Sequence, residues 1–451
     1  MHALGSLDYL WHALIPDWDI PLDIPLNASL TSLSNNYLRL AAVKSLKLDH
    51  RWRNPRIEMR RAQCIISRNS SFVDSMRFLP GGRWLVTLQH EPRSKTHVTL
   101  WSIADSNEQD SVFDVTVVGR VRFFHAHHHH ELEQITIGIA IARGTEETIR
   151  VYHVFLPGDS STRHSLVFEA RPGELHPMGR IVGMKINGDT MIAVFEPQSL
   201  SSEQQRGQIA CVNLISKAAA VLDCPDWACM GRIKIFSRYF AVATSRWTAQ
   251  PATACVSFYE LPSVTLDHPD CLSPTVPRWP EKQAVKSSLI ASTSWNSDDP
   301  LVYELSDDAP TNNTTTCSCT MFGYSIPTQR LDVENLIEMV HVSFDGKSIE
   351  RTLSVVPCRF IPSDGEIRVS SSGKRAVWLT QDPDTHEFAL MKFALGRGTA
   401  KGTGSCISTL MPSFSGLPLN PRDFHSFVFD EISCKMAVGL PTGELYILHY
   451  D

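Results

Sequence analysis

The chain has 451 residues, 43% of them hydrophobic, and 42 Lys and Arg against 48 Asp and Glu give a net charge of −6. That length exceeds one ordinary domain unless the architecture grows by repetition, and the mild negative charge excludes the global basic field that holds nucleic acid. The 11 cysteines are irregularly spaced and form no Cys-x-x-Cys pair, which argues against a disulfide framework and a zinc ligand set.

The first residues, Met1-His2-Ala3-Leu4-Gly5-Ser6-Leu7-Asp8, lack a basic n-region and read as no signal peptide. The longest apolar run, Ile135–Ala142, falls far short of the roughly 18 residues a membrane span needs. The sequence therefore predicts a cytoplasmic or nuclear chain that meets no membrane, and the sequons at Asn27, Asn69, Asn312 and Asn313 read as chance matches.

Residues 1–55 form a helical N-terminal segment. Leu4, Leu7, Leu10, Trp11 and Leu14 recur at helical spacing, and the prolines of Asp17–Pro25 end that pattern. Ser32-Leu33-Ser34 offers an N-cap to an amphipathic helix over Asn35–Leu48, with Arg39, Lys44 and Lys47 toward water. Its apolar face, which includes Leu40 and Leu46, is expected to pack on the rest of the chain.

From residue 56 the helical period gives way to strands. Val73–Leu79, the turn Pro80-Gly81-Gly82, Trp84–Leu88, a polar loop over His90–Thr96 and Val98–Ile103 read as one antiparallel sheet. Segments like its last strand recur at Thr148–Phe155, Gln208–Ile215, Ala254–Leu261, Cys319–Ile326, Phe388–Leu395 and Glu444–Tyr450, with midpoints 46 to 69 residues apart. Most follow a second apolar strand, such as Ile135–Ile141 or Tyr239–Thr244; for the fifth the best partner is Leu301–Leu305. Sheets recurring without helices between them predict an all-β, seven-bladed β-propeller over 56–451, its longer period absorbed by polar surface loops. The last blade lacks an outer strand. The sequence expectation is that residues 63–67 pair with 444–450 and close the ring.

Within Val73–Ser102, Met76-Arg77-Phe78-Leu79-Pro80-Gly81-Gly82 and Leu100-Trp101-Ser102 resemble the turn and the closing strand of a WD40 repeat. Ser102 stands for the family's Asp, and no Gly-His precedes the unit, so the His–Ser–Trp–Asp hydrogen-bond network of that family is not expected. A second resemblance covers more of the chain. Leu10-Trp11-His12-Ala13-Leu14, Asp23-Ile24-Pro25-Leu26, Leu38-Arg39-Leu40-Ala41-Ala42 and Leu46–Arg53, followed by Asp74–Leu85, resemble the region after the F-box in basidiomycete (fungal) F-box proteins. That resemblance implies substrate recognition within a Skp1–cullin–F-box ubiquitin ligase. The F-box that would dock Skp1 is not visible in these residues.

Other clusters carry weaker chemical signals. His125-Ala126-His127-His128-His129-His130 reads as a polar loop, because consecutive histidines in a turn diverge instead of converging on a metal. Asp298-Asp299, Asp307-Asp308 and Glu146-Glu147 read as solvated loops, and the glycine-rich Gly396–Gly404 as a hairpin. Lys44–Arg68 carries eight Lys and Arg against Asp49 and Glu58, and reads as a basic face meeting an acidic propeller surface. No catalytic residue, cofactor or metal is expected. The functional expectation is a non-catalytic module for a protein partner of unknown identity; the alternative is a propeller-fold enzyme of lactonase or glycosidase type. The expected partner face is the loop after the second strand of the fourth blade, with Arg246 and Trp247, joined by Arg93 and Asp382 in the matching loops of the first and sixth blades. Trp and Arg are the side chains most enriched at interface hot spots.

Overall fold

A computed structural model describes residues 8–14, 22–24, 30–55, 57, 59–66, 71–91, 94–103, 111–129, 132–156, 164–171, 179–196, 207–224, 231–246, 252–262, 289–297, 301–305, 317–325, 336–358, 362, 367–370, 372–382, 385–396, 405–411 and 419–450. Two helices, α1 (Asp8–Leu14) and α2 (Asn35–Arg53), precede β1 (Arg61–Ile66). The remaining described strands build a seven-bladed, all-β propeller of four-stranded sheets.

The first blade is β2 (Val73–Phe78), β3 (Trp84–Glu91), β4 (Lys95–Ser102) and β5 (Ser111–Val118). The second is β6 (Arg120–His129), β7 (Gln134–Arg143), β8 (Glu146–Phe155) and β9 (His164–Ala170). The third is β10 (Ile181–Asn187), β11 (Thr190–Phe195), β12 (Gly207–Asn213) and β13 (Ala219–Cys224). The fourth is β14 (Gly231–Ile235), β15 (Tyr239–Arg246), β16 (Ala252–Glu260) and β17 (Leu289–Ser297).

The fifth blade is β18 (Leu301–Leu305), β19 (Cys317–Ser325), β20 (Leu336–Phe344) and β21 (Ile349–Pro357). The sixth is β22 (Ile367–Val369), β23 (Arg375–Gln381), β24 (Phe388–Ala394) and β25 (Cys406–Met411). The last joins β26 (Ser426–Asp430), β27 (Lys435–Gly439) and β28 (Glu444–His449) to β1. Strand β1 runs antiparallel to β28, from Arg61 opposite His449 to Ile66 opposite Glu444.

By contacts the chain divides into two units. One comprises Met1–Leu85, Ile103–Gln109 and Val302–Asp451, and the other Val86–Ser102 and Asp110–Leu301. Inside each unit the middle strands are covered on both faces and read as continuous apolar runs, whereas outer strands such as β5 and β21 open toward solvent. Residues 134–141 of β7 are buried without a break. Layers between blades of one unit are packed clusters: Ile149, Val151 and Phe168 meet Met184, Ile186 and Ala193 between the second and third blades. In the other unit, Phe322, Tyr324 and Met339 meet Trp378, Met391 and Phe393 between the fifth and sixth.

Four sequence expectations need correction. In the fifth blade Leu301–Leu305 is the first strand and Cys317–Ser325 the second. The third, Leu336–Phe344, interleaves Glu338, His341 and Ser343 with its apolar residues and escaped the pattern. The histidine cluster is no loop: His125 to His129 complete β6, paired residue for residue with β7 from Gly138 to Gln134. Glu146 and Glu147 open strand β8, and Glu147 accepts hydrogen bonds from Arg122 Nη1 at 3.1 Å and the Ile181 backbone N–H at 2.6 Å. Finally, one bond of the WD40 kind does form: Trp101 Nε1 donates to Thr87 Oγ1 at 2.9 Å.

Candidate interaction surface

The helix α2 is the element that connects sequence to a surface. Ser34 caps it, its hydroxyl accepting the Tyr37 N–H at 3.2 Å. One face buries Leu38, Ala41, Ala42, Ser45, Leu48, Asp49 and Trp52, the three-and-four spacing of a single helical stripe. Its first half packs with Trp11, Leu22, Ile24 and Leu33. There Tyr37 Oη donates to the Asp23 carbonyl at 3.1 Å, and Lys44 Nζ meets Asp23 Oδ2 at 2.9 Å.

Asp23 in turn stands beside the Pro80-Gly81-Gly82 turn, where both glycines have positive φ. A Cβ on Gly82 would collide with Ser433, so this turn needs glycine for space as well as for dihedral freedom. The neighbouring Asp430 accepts from the Ser433 N–H at 2.8 Å and hydroxyl at 2.6 Å. Burial still pushes its carboxyl up to about 6, against the hydrogen bonds from Ser433 and Gly81.

The second half of α2 is bolted to the sixth and last blades. Trp52 is fully buried, stacks on Phe429 with centroids 4.6 Å apart, and donates from Nε1 to the Phe393 carbonyl at 3.0 Å. Lys392 reaches up from β24 and donates to the carbonyls of Trp52 and Asn54, both at 2.6 Å. These groups end the helix, where a cation is favoured by the exposed carbonyls and the helix dipole. Burial lowers the Lys392 ammonium to about 8. Asp49 is held at 2.9 Å by Arg375 Nη2 on one oxygen and at 2.9 Å by Arg53 Nε on the other. Arg375 also donates to the Glu431 carbonyl at 3.2 Å.

This docking corrects two expectations. Helix α2 runs to Arg53, past Leu48. At its docked end the charges are reversed: the helix supplies the carboxylate and the carbonyls, and the propeller supplies Arg375 and Lys392. The basic side chains Arg39, Lys44 and Lys47 remain exposed.

The face opposite the buried stripe mixes apolar side chains with its basic ones. Leu40 is 57% exposed, Tyr37 40% and Val43 38%, and Leu14 at the end of α1 is 45% exposed. Leu40 therefore does not pack on the propeller, and Leu46 is only half-buried. An apolar stripe flanked by Arg39, Lys44 and Lys47 is thus left in solvent on a helix fixed from behind by Trp52.

Of the residues expected on the partner face, Trp247 and Arg93 lie outside the described residues. For Arg246 the backbone is described: it ends β15, opposite Thr253. Asp382 follows β23 directly and is engaged in its turn, where its carboxylate accepts the Thr385 N–H at 3.3 Å and its backbone N–H donates to Glu387 at 2.8 Å. Among the described residues no group of three or more His, Cys, Asp or Glu is placed to hold a metal ion, and no helix is long and apolar enough to cross a membrane.

No protein-family model matches this sequence, and no curated protein matches it. Among solved structures it is similar to the β-propeller domain of the Trilobed protease from Pyrococcus furiosus, at 8% identity and TM-score 0.42 over 84% of this chain and 93% of that one. It is also similar to the Pyrococcus horikoshii acylaminoacyl peptidase, at 8% identity and TM-score 0.41 over 82% of this chain; the match spans 48% of that protein's length.

Proposed function

We propose that this chain is a non-catalytic protein-interaction module of the cytoplasm or nucleus. By its resemblance to fungal F-box proteins, it would act as a substrate-recognition subunit of a Skp1–cullin–F-box ubiquitin ligase. The observation that carries the interaction reading is the exposed stripe of Tyr37, Leu40 and Val43 on a helix whose other face is anchored by Trp52. Exposed apolar side chains on a rigid, pre-ordered element lose little entropy on binding and gain by leaving water. The second half of the reading rests on the quoted sequence segments alone.

Affinity capture with quantitative mass spectrometry tests it, comparing the native chain with the double variant Leu40→Asp/Val43→Asp and with Trp247→Ala. The double variant should keep its melting temperature and lose a defined set of partners. Enrichment of Skp1 with the native chain would support the ligase assignment. Identical partner sets for native chain and both variants, or no enrichment over a mock capture, would refute the interaction reading.

A further inference from the structure

The histidines of β6 sit on the layer between the second and third blades. His125 is 2% exposed, and its Nδ1 accepts the backbone N–H of Ile186 in β10 at 3.2 Å. The approach is close because Gly138, opposite His125 on β7, has no side chain: a Cβ there would run into Ile186 Cδ1. An imidazole accepts at Nδ1 only when that nitrogen is unprotonated, whereas an imidazolium donates from both nitrogens. This inter-blade bond therefore exists for neutral His125 alone.

His127 and His129 continue the same face of β6 at two-residue steps, their rings 4.7 Å apart and edge to face. Thr136 stands opposite His127 on one side and His153 of β8 on the other. The Nε2 of His129 is buried with no hydrogen-bond partner. Burial lowers the proton affinity of His129, with Asp189 opposing. For His153, burial is again the main cause, reinforced by His129 and opposed by Asp189.

The charged pair at the far end of this layer is Glu147 of β8, which accepts the Ile181 N–H at 2.6 Å and pairs with Arg122 at 3.1 Å; apart from Asp189, the other described residues that face the histidines are uncharged. From β7 the layer receives Gln134, Thr136, Gly138 and Ala140, from β8 Ile149 and Val151, and from β10 and β11 Met184, Ile186, Met191 and Ala193. Lys185 alternates to the other side of β10. Asp189, in the turn between β10 and β11, is the anion that acts on His129 and His153.

We propose that this seam is an acid-sensitive latch: it is closed while His125, His127, His129 and His153 are neutral, and protonation releases β10 from β6. Acid would turn His125 Nδ1, which accepts the Ile186 N–H, into a donor and add three further cations beside it, while Glu147 is already engaged by Arg122 and Ile181. The sign follows from linkage. Buried bases favour the neutral form, so the unfolded chain binds more protons, and stability is lost as pH falls below the ordinary histidine value of about 6.5.

Hydrogen exchange of the full-length chain between pH 7.5 and 5.5, corrected for intrinsic rates, tests the latch. Protection of the peptide 181–187 should fall about tenfold or more, equivalent to one pKa unit of differential binding, while the peptide 435–439 of the last blade stays protected. The variant His125→Asn offers a side-chain oxygen near the position of Nδ1 that does not titrate, and should flatten the loss at 181–187. Equal loss in both peptides, constant protection at 181–187, or an unaltered pH response in a folded His125→Asn variant would each overturn the proposal. If that variant does not fold, the contrast between the two peptides in the native chain still decides it.

Discussion

Two seams of this molecule are fastened by different chemistry. Where α2 meets the sixth and last blades, the fasteners are the basic side chains of Arg375, Arg53 and Lys392. Where β6 meets β10, the fastener is a histidine that must stay neutral. Both seams tie strand or helix backbone to a buried side chain. They differ in what the solvent can do to them: the first is indifferent to mild acid, and the second depends on it.

Removing the plug of the first seam should have the largest effect. Trp52→Ala empties a fully buried site and deletes the bond to Phe393, so we expect a loss of about 3–5 kcal/mol in denaturant unfolding. Asp49→Ala leaves the buried Arg375 without its carboxylate, and should cost about 3 kcal/mol. Most of that loss should return in the pair Asp49→Leu/Arg375→Met, which removes both charges; failure to recover would mean that the ion pair itself, and not the stranded charge, holds the helix. Lys392→Met strands the carbonyls of Trp52 and Asn54, and should cost about 2 kcal/mol.

Acidity sharpens the contrast. Because burial holds Lys392 at about 8, its contribution is constant below that value and grows as pH rises from there toward about 10.4. An unfolding titration of Lys392→Met against the native chain should therefore give a constant difference from pH 5 to 7 and a smaller stability for the native chain at pH 7 than at pH 10 once the variant is subtracted. The smallest expected effect is at the exposed stripe, where Leu40→Ala should change stability by less than about 0.5 kcal/mol. A larger loss would place Leu40 against the protein's own surface.

The propeller was readable because its middle strands, such as Ile135–Ile141 and Tyr239–Thr244, are apolar runs bounded by turn residues. Three features were not readable, each for a physical reason. The phase of α2 was ambiguous because Leu38, Leu40, Ala41, Val43, Leu46 and Leu48 surround the helix with apolar residues. What decides its docked face is Asp49 and Trp52, whose partners Arg375, Lys392 and Phe393 lie more than 300 positions away. The strand character of His125–His129 comes from its pairing with Gln134–Gly138 and from Ile186, not from the polar appearance of histidine. In the fifth blade, spacing misled because Leu336–Phe344 has a mixed pattern. The surface around Tyr37 and Leu40 carries no motif; a helix with two apolar faces was its one available signal.

The pairing of β1 with β28 has a consequence for time as well as for structure. Arg61 meets His449, so β1 is completed only when β28 has been made. At ribosomal speeds of about 5–20 residues per second, β1 and the buried face of α2 wait tens of seconds for their partners. Throughout that interval Ile65, Leu48 and Trp52 are uncovered, and the bare edge of β1 is open to any passing strand. Within this propeller, α2 and β1 are therefore the segments that wait longest for cover, and escort by a holding chaperone would matter most for them.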